Sequence, residues 1–133
     1  MNLSALFAVG TGSVVGAWLR WWLGLRLNAL FPTVPLGTLA ANLIGGYVIG
    51  VALGMITQNL GLSPQARLFL MTGFCGGLTT FSTFSAETYT LLARGQLGWG
   101  LGEIAIHVSG SLVATALGVL TVRLVRIWAG GVP

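Results

Sequence analysis

Charge is almost missing from this chain. Of its 133 residues only eight are charged, six of them arginines and two glutamates, and there is no lysine and no aspartate. A water-soluble domain devotes roughly a quarter of its residues to Asp, Glu, Lys and Arg, so this chain has almost no surface to offer to water. The net charge of +4 reflects scarce acids. The arginines stand singly, whereas a nucleic-acid surface gathers them on one face, so no nucleic-acid partner is expected. Cys75 is the only cysteine, which excludes an internal disulfide and any multi-cysteine metal site. It reads as a packed thiol inside an apolar run. His107 is the only histidine and has no second His or Cys at ligand spacing. With two carboxylates, no Ser–His–Asp set, no carboxylate pair and no phosphate loop, the chain is not expected to be an enzyme.

What is abundant is apolar sequence, at 55% of residues. Four runs stand out, at about 3–28, 36–56, 68–92 and 99–122, each longer than the roughly 20 residues needed to cross a bilayer core. The segments between them are short and contain Pro32, Pro35, Pro64 and Gly95. The expectation is an all-α integral membrane protein with four transmembrane helices and one domain over residues 1–133. The start of the chain is uncharged and has no cleavage pattern, so the first run reads as a retained helix and not as a signal peptide. Trp18, Trp21, Trp22, Trp99 and Trp128 lie toward span ends, where aromatic side chains anchor a membrane protein at the interface.

An even number of spans puts both termini on one side. That side carries Arg67, Arg123 and Arg126, and the other carries Arg20, Arg26 and Arg94. Orientation normally follows the Lys/Arg bias of the connecting segments, and three against three is no bias. The expectation is insertion in both orientations and an antiparallel homodimer.

The glycines are patterned. Gly10, Gly12 and Gly16 approach a dinucleotide loop, but Val15 stands where the third glycine belongs and no strand precedes them. Gly12 and Gly16 instead allow close helix contact, as do Gly46, Gly50 and Gly54 at four-residue intervals in the second run. In the fourth run Gly110, Ala114 and Gly118 form a small-residue stripe beside a polar one made of Glu103, His107, Ser111 and Thr115. The polar stripe reads as a polar track along one helix face, although isolated Ser and Thr in membrane helices often bond their own backbone. Arg20 is either a snorkelling end residue or a cation at a pore mouth. Asn42 is either a structural amide or a donor facing an ion path.

The third run is the unusual one. Residues 73–85 read Gly-Phe-Cys-Gly-Gly-Leu-Thr-Thr-Phe-Ser-Thr-Phe-Ser. Each glycine of the Gly76–Gly77 pair costs a helix about 1 kcal/mol relative to alanine, and the hydroxyl side chains that follow are dense for a membrane span. Backbone freed from helical bonding in hydrocarbon survives only when buried in protein or facing a water-filled or ion-bearing cavity. The expectation is a helix broken in mid-membrane, with a half-helix starting near Thr79 or Thr80. Its positive dipole end favours an anion, and the carbonyls freed on the other side of the break suit a hard cation. Phe81 and Phe84 share a face at i, i+3, a spacing that usually marks core packing. Beside Ser82, Thr83 and Ser85, just past the break, rings turned edge-on can instead line an anion path with their positive edges. Glu87 either pairs with an arginine or tunes a pore entrance.

The stretch 73–85 resembles the signature of the Fluc (CrcB) fluoride channels, supported by Gly37-Thr38-Leu39 and Asn42-Leu43 in the second run, Arg20 in the first, and His107 with Gly110-Ser111 in the fourth. The resemblance covers essentially the whole chain. It implies a passive fluoride-selective channel, built as a dual-topology antiparallel homodimer with two parallel pores. Such channels let cytoplasmic fluoride leak out of bacteria across the cytoplasmic membrane. It further implies a structural, non-transported sodium ion at the dimer centre, held by the backbone carbonyls of Gly76 and Thr79. Asn42, Phe81 and Phe84 are the implied pore residues, Thr83, Ser111 and Thr115 the implied hydroxyl track, and Arg20 the vestibule cation. Two other readings compete. A small dual-topology drug exporter needs a membrane-embedded carboxylate, most simply in the first run, which has none. A structural subunit of a larger membrane complex leaves the hydroxyl-rich break unexplained.

Overall fold

The computed structural model describes residues 2–130. Among these residues every regular element is helical. Helix α1 covers Leu3–Leu27 and opens with the Asn2 side chain accepting a hydrogen bond from the Ala5 amide at 2.9 Å, the usual way a short polar residue satisfies an orphan first-turn donor. A short turn of 3-10 helix, Asn28–Leu30, leads to α2, Leu36–Thr57. Then come α3 (Pro64–Arg67), a π-helical segment (Leu68–Cys75), α4 (Gly76–Leu78), α5 (Phe81–Ala93) and α6 (Leu97–Trp128).

Three stretches, Leu3–Leu30, Leu36–Thr57 and Leu97–Trp128, are each long and apolar enough to cross a membrane. The chain is a multi-pass membrane protein. The third apolar run of the sequence is not one helix but the succession from α3 to α5. Helix α6 runs past the last apolar run, ending at Trp128. Arg126 holds that end by donating to the carbonyl and the side chain of Gln58, just beyond α2, while its charged head stays at the helix end.

The packing is that of a membrane bundle, with small residues inside and large apolar ones outside. Leu6, Phe7, Trp18, Leu112 and Val125 are exposed. Gly50 faces the backbone of Thr115, Gly54 faces Val122, and Gly118 faces the backbone of α2 at Tyr47, so α2 and α6 meet backbone to backbone. Gly12 and Gly16 do the same for α1 against the segment from Phe69 to Leu78. Lipid tails are as apolar as leucine, so this close van der Waals contact takes the place of hydrophobic burial in holding helices together. The centre of the packing is Leu23, Ala41 and Leu78, flanked by Leu19, Leu27, Ala40 and Phe74.

Two local features differ from the sequence expectation. The glycine pair does not interrupt the helix. Gly76 has φ −62°, ψ −36°, and helical geometry persists to Leu78, while Thr79 and Thr80 are extended, at φ −76°, ψ 154° and φ −149°, ψ 108°. Gly77 is small because the Ser13 backbone lies against it, not because the chain turns there. The second feature is the π-helical segment, whose wider turn lays Gly73 on α1, where an added Cβ would stand 2.7 Å from the Val9 carbonyl oxygen. Such wide turns concentrate next to functional sites, and nothing in the residue pattern announced this one.

Candidate functional site at the interrupted helix

The interruption at Thr79–Thr80 leaves backbone groups that the surrounding side chains satisfy. In an unbroken helix the Thr80 N–H would bond the Gly76 carbonyl. Here it donates to Asn42 Oδ1 at 2.7 Å, while Asn42 Nδ2 donates back to the Thr80 carbonyl at 3.3 Å. One amide side chain therefore closes a ring with both backbone groups of Thr80, which fixes its orientation, because only its oxygen can accept from an N–H. The second Nδ2 proton reaches His107 Nδ1 at 3.1 Å. Since Asn42 donates, His107 Nδ1 accepts, and the neutral ring carries its proton on Nε2. That Nε2 is buried and has no hydrogen-bond partner among the described residues.

On the α5 side Thr80 is the N-cap. Its hydroxyl oxygen accepts from the Thr83 N–H at 3.1 Å and its proton reaches Thr83 Oγ1 at 2.9 Å. The extended Thr80 backbone and the short polar side chain are what an N-cap needs. On the other side of the break Thr79 keeps its ties to the preceding turn: its N–H and its hydroxyl both donate to the Cys75 carbonyl at 2.9 Å. The Thr79 carbonyl points away and lies 3.4 Å from Arg20 Nη1. The two faces of the break thus differ in sign: a helix end offering carbonyls on one side and a helix start offering N–H groups on the other.

Two cavities flank the interruption. The larger, about 480 Å³ and open on one side, is lined by Asn42, Gly76, Thr79, Phe81, Phe84, His107 and Ser111 among others. The other, about 410 Å³, is lined by Arg20, Asn28, Thr38, Thr80, Ser82 and Thr83. Phe81 is 79% exposed, while Phe84 is buried and stacks on His107 with ring centroids 4.7 Å apart. The two phenylalanine rings are tilted at 57° with centroids 5.7 Å apart, an edge-toward-face arrangement that aromatic quadrupoles favour.

Comparison with known proteins bears on what this arrangement serves. A family model described as "CrcB-like protein, Camphor Resistance (CrcB)" matches residues 7–119. The chain is 63% identical over 123 residues to a protein of Nitrosospira multiformis named "Fluoride-specific ion channel FluC", covering 92% of this chain and 96% of that one. A protein of the same name from Pseudomonas putida is 62% identical over 119 residues, 90% and 94% of the two chains. Another from Dechloromonas aromatica is 57% identical over 130 residues, 96% of each. The chain belongs to the CrcB family.

In this CrcB-family chain the residues singled out from sequence divide into three groups. Asn42, Phe81, Phe84 and Ser111 share the larger cavity, and Gly76 and Thr79 line its wall. Thr83 and Arg20 line the other cavity. Thr115 lines neither; its hydroxyl donates to the carbonyls of Ser111 at 2.9 Å and Gly46 at 3.0 Å, so its proton is committed to backbone at the α2–α6 contact. Glu87 is not paired with an arginine but accepts from the Thr38 hydroxyl at 2.7 Å.

Sequence reasoning missed the linkages. Thr80 as the N-cap was within reach, because a Thr just ahead of a helix start is a recognised signal. The Asn42–His107 bond joins residues 65 positions apart, and no periodicity reports such a pairing.

Proposed function

We propose that the protein is a passive fluoride-selective channel that releases cytoplasmic fluoride. The observation that carries this reading is the extent of the likeness: 63% identity over 92% of the chain to a protein named as a fluoride-specific channel. The geometry supports it and supplies a mechanism. Fluoride is small and strongly hydrated, so a path for it must replace lost water with hydrogen-bond donors, in a passage narrow enough to turn away larger halides. Arg20, the Ser82 hydroxyl and the start of α5 gather positive potential in one cavity. From there the anion meets the Nε2–H of His107, the Ser111 hydroxyl and the rings of Phe81 and Phe84. Asn42, whose two amide protons go to Thr80 and His107, forms the wall of the path and orients the imidazole. Thr83 is the hydroxyl at the entrance to this path. Thr115 belongs to its far end through the helix contact it maintains. No carboxylate lines the larger cavity, so an anion there meets no fixed negative side chain.

The chain functions as a single four-span unit, residues 1–133, in which the third crossing is the broken succession from α3 to α5. Two copies assemble antiparallel in the bacterial cytoplasmic membrane, giving two pores. The open side of the larger cavity supports this assembly: Gly76 has nothing within 4 Å of its added Cβ, and Phe81 projects outward. The Gly76 carbonyl, freed from its helical bond, lies at this opening; unpaired backbone cannot face lipid tails, and a second copy would cover it.

The same surface fits a structural sodium ion. The Gly76 carbonyl has lost its helical partner because Thr80 N–H bonds Asn42 instead, and the Thr79 carbonyl retains a lone pair beyond its long contact with Arg20. Neutral carbonyl oxygens of this kind are the donors a hard monovalent cation accepts. Gly76 and Thr79 of both copies would hold it, and the ion would give the carbonyls left bare at the break a partner. The test is efflux from liposomes. Purified protein passes fluoride down its gradient and excludes chloride; comparable chloride efflux contradicts the assignment.

A further inference from the structure

One buried polar group takes no part in the mechanism above. Glu103 of α6 has no exposed surface at all and, with Leu78, is among the largest side chains that are completely enclosed. Its Oε2 accepts from the Thr88 hydroxyl of α5 at 2.9 Å, and its Oε1 has no partner among the described residues. A carboxyl group so enclosed, with a single donor, contributes poorly to stability when set against an apolar residue of the same size. Its position explains it better. Glu103 and His107 are one turn apart on α6, and Thr88 and Phe84 are one turn apart on α5, so each pair shares a helix face. The Glu103–Thr88 bond and the His107–Phe84 stack at 4.7 Å are therefore successive rungs between the same two helices. From His107 the linkage continues to Asn42 and on to both backbone groups of Thr80. Leucine-like contacts between two helices slide and rotate, whereas a directional hydrogen bond between them does not.

We propose that Glu103 is a positioning residue: its bond to Thr88 sets the rotation of α6 against α5, and so holds the His107 ring where it meets Phe84 and Asn42 beside the anion path. This inference rests on the fluoride-channel reading. It makes Glu103 a determinant of selectivity without contact with the ion.

The decisive variant is the double substitution Thr88→Val with Glu103→Leu. Replacing both partners by apolar groups of similar shape removes the bond without leaving a buried polar group unpaired, which is close to neutral for folding. The companion is Glu103→Gln, whose side-chain carbonyl still accepts from Thr88. Each protein is taken as the size-exclusion peak of the wild-type species. Fluoride and chloride efflux from liposomes are then measured, together with the ¹⁵N NMR signals of the imidazole, which belong to His107 because the chain has one histidine. The expected result is that the double variant raises the chloride-to-fluoride efflux ratio by about tenfold, the size of a barrier change of some 1.4 kcal/mol, and shifts the imidazole signals. Glu103→Gln keeps both at wild-type values. If either quantity is unchanged in the double variant, or if Glu103→Gln matches the double variant, the inference is overturned. Wild-type liposomes separate the two readings: no fluoride efflux from wild type overturns the channel assignment and this inference with it, while fluoride-selective wild type beside an unchanged double variant overturns this inference alone.

Discussion

At the scale of the residue, Asn42 does the most with the least. Its amide answers both backbone groups of Thr80 and fixes the proton of His107 on Nε2. Asn42→Leu removes three hydrogen bonds at once and leaves the Thr80 N–H and carbonyl unpaired, a penalty of about 1–3 kcal/mol for each buried group. The expected outcome is a lower melting temperature in detergent and fluoride efflux reduced by about tenfold or more, since each 1.4 kcal/mol added to a barrier slows passage about tenfold. Wild-type efflux and wild-type melting together would contradict the role given to this amide. Much of this scale was legible in advance. Asn42, Phe81, Phe84 and Ser111 are conspicuous as polar or aromatic residues in membrane spans, and they share a cavity. Thr115 was conspicuous for the same reason, yet its hydroxyl bonds backbone. The side-chain type is visible in a sequence; the acceptor it chooses is decided by a helix 69 residues away.

At the scale of the element, glycine spacing foretold contact surfaces better than it foretold the break. The Gly46, Gly50 and Gly54 ladder meets α6, and Gly12 and Gly16 meet the third succession of helices. The Gly76–Gly77 pair, by contrast, stays helical, and the extended residues are the hydroxyl pair Thr79 and Thr80. The reason is competition for hydrogen bonds. A glycine weakens a helix by about 1 kcal/mol, which packing against Ser13 offsets, whereas Asn42 and the Thr80 side chain offer the backbone an alternative set of partners. The contrast gives a prediction. Gly50→Leu drives a side chain into the Thr115 backbone and yields no monodisperse protein on size exclusion. Gly76→Ala, whose Cβ meets nothing within 4 Å in the subunit, leaves the subunit fold intact. A well-behaved Gly50→Leu protein would contradict the backbone-to-backbone contact of α2 with α6.

At the scale of the whole molecule, the membrane class follows from composition alone, because eight charged residues in 133 cannot clothe a soluble surface. The arginine balance of three against three gives a further consequence. Tags at the C-terminus are expected on both sides of the cell membrane when tested by protease or thiol-reagent access, and a single uniform orientation would contradict antiparallel assembly. In a planar bilayer holding the purified protein, with fluoride and chloride gradients set in opposite directions, the reversal potential measures which anion carries the current. Reversal is expected at the fluoride equilibrium potential, unmoved when the chloride gradient is changed; a reversal potential that follows chloride would overturn the fluoride assignment.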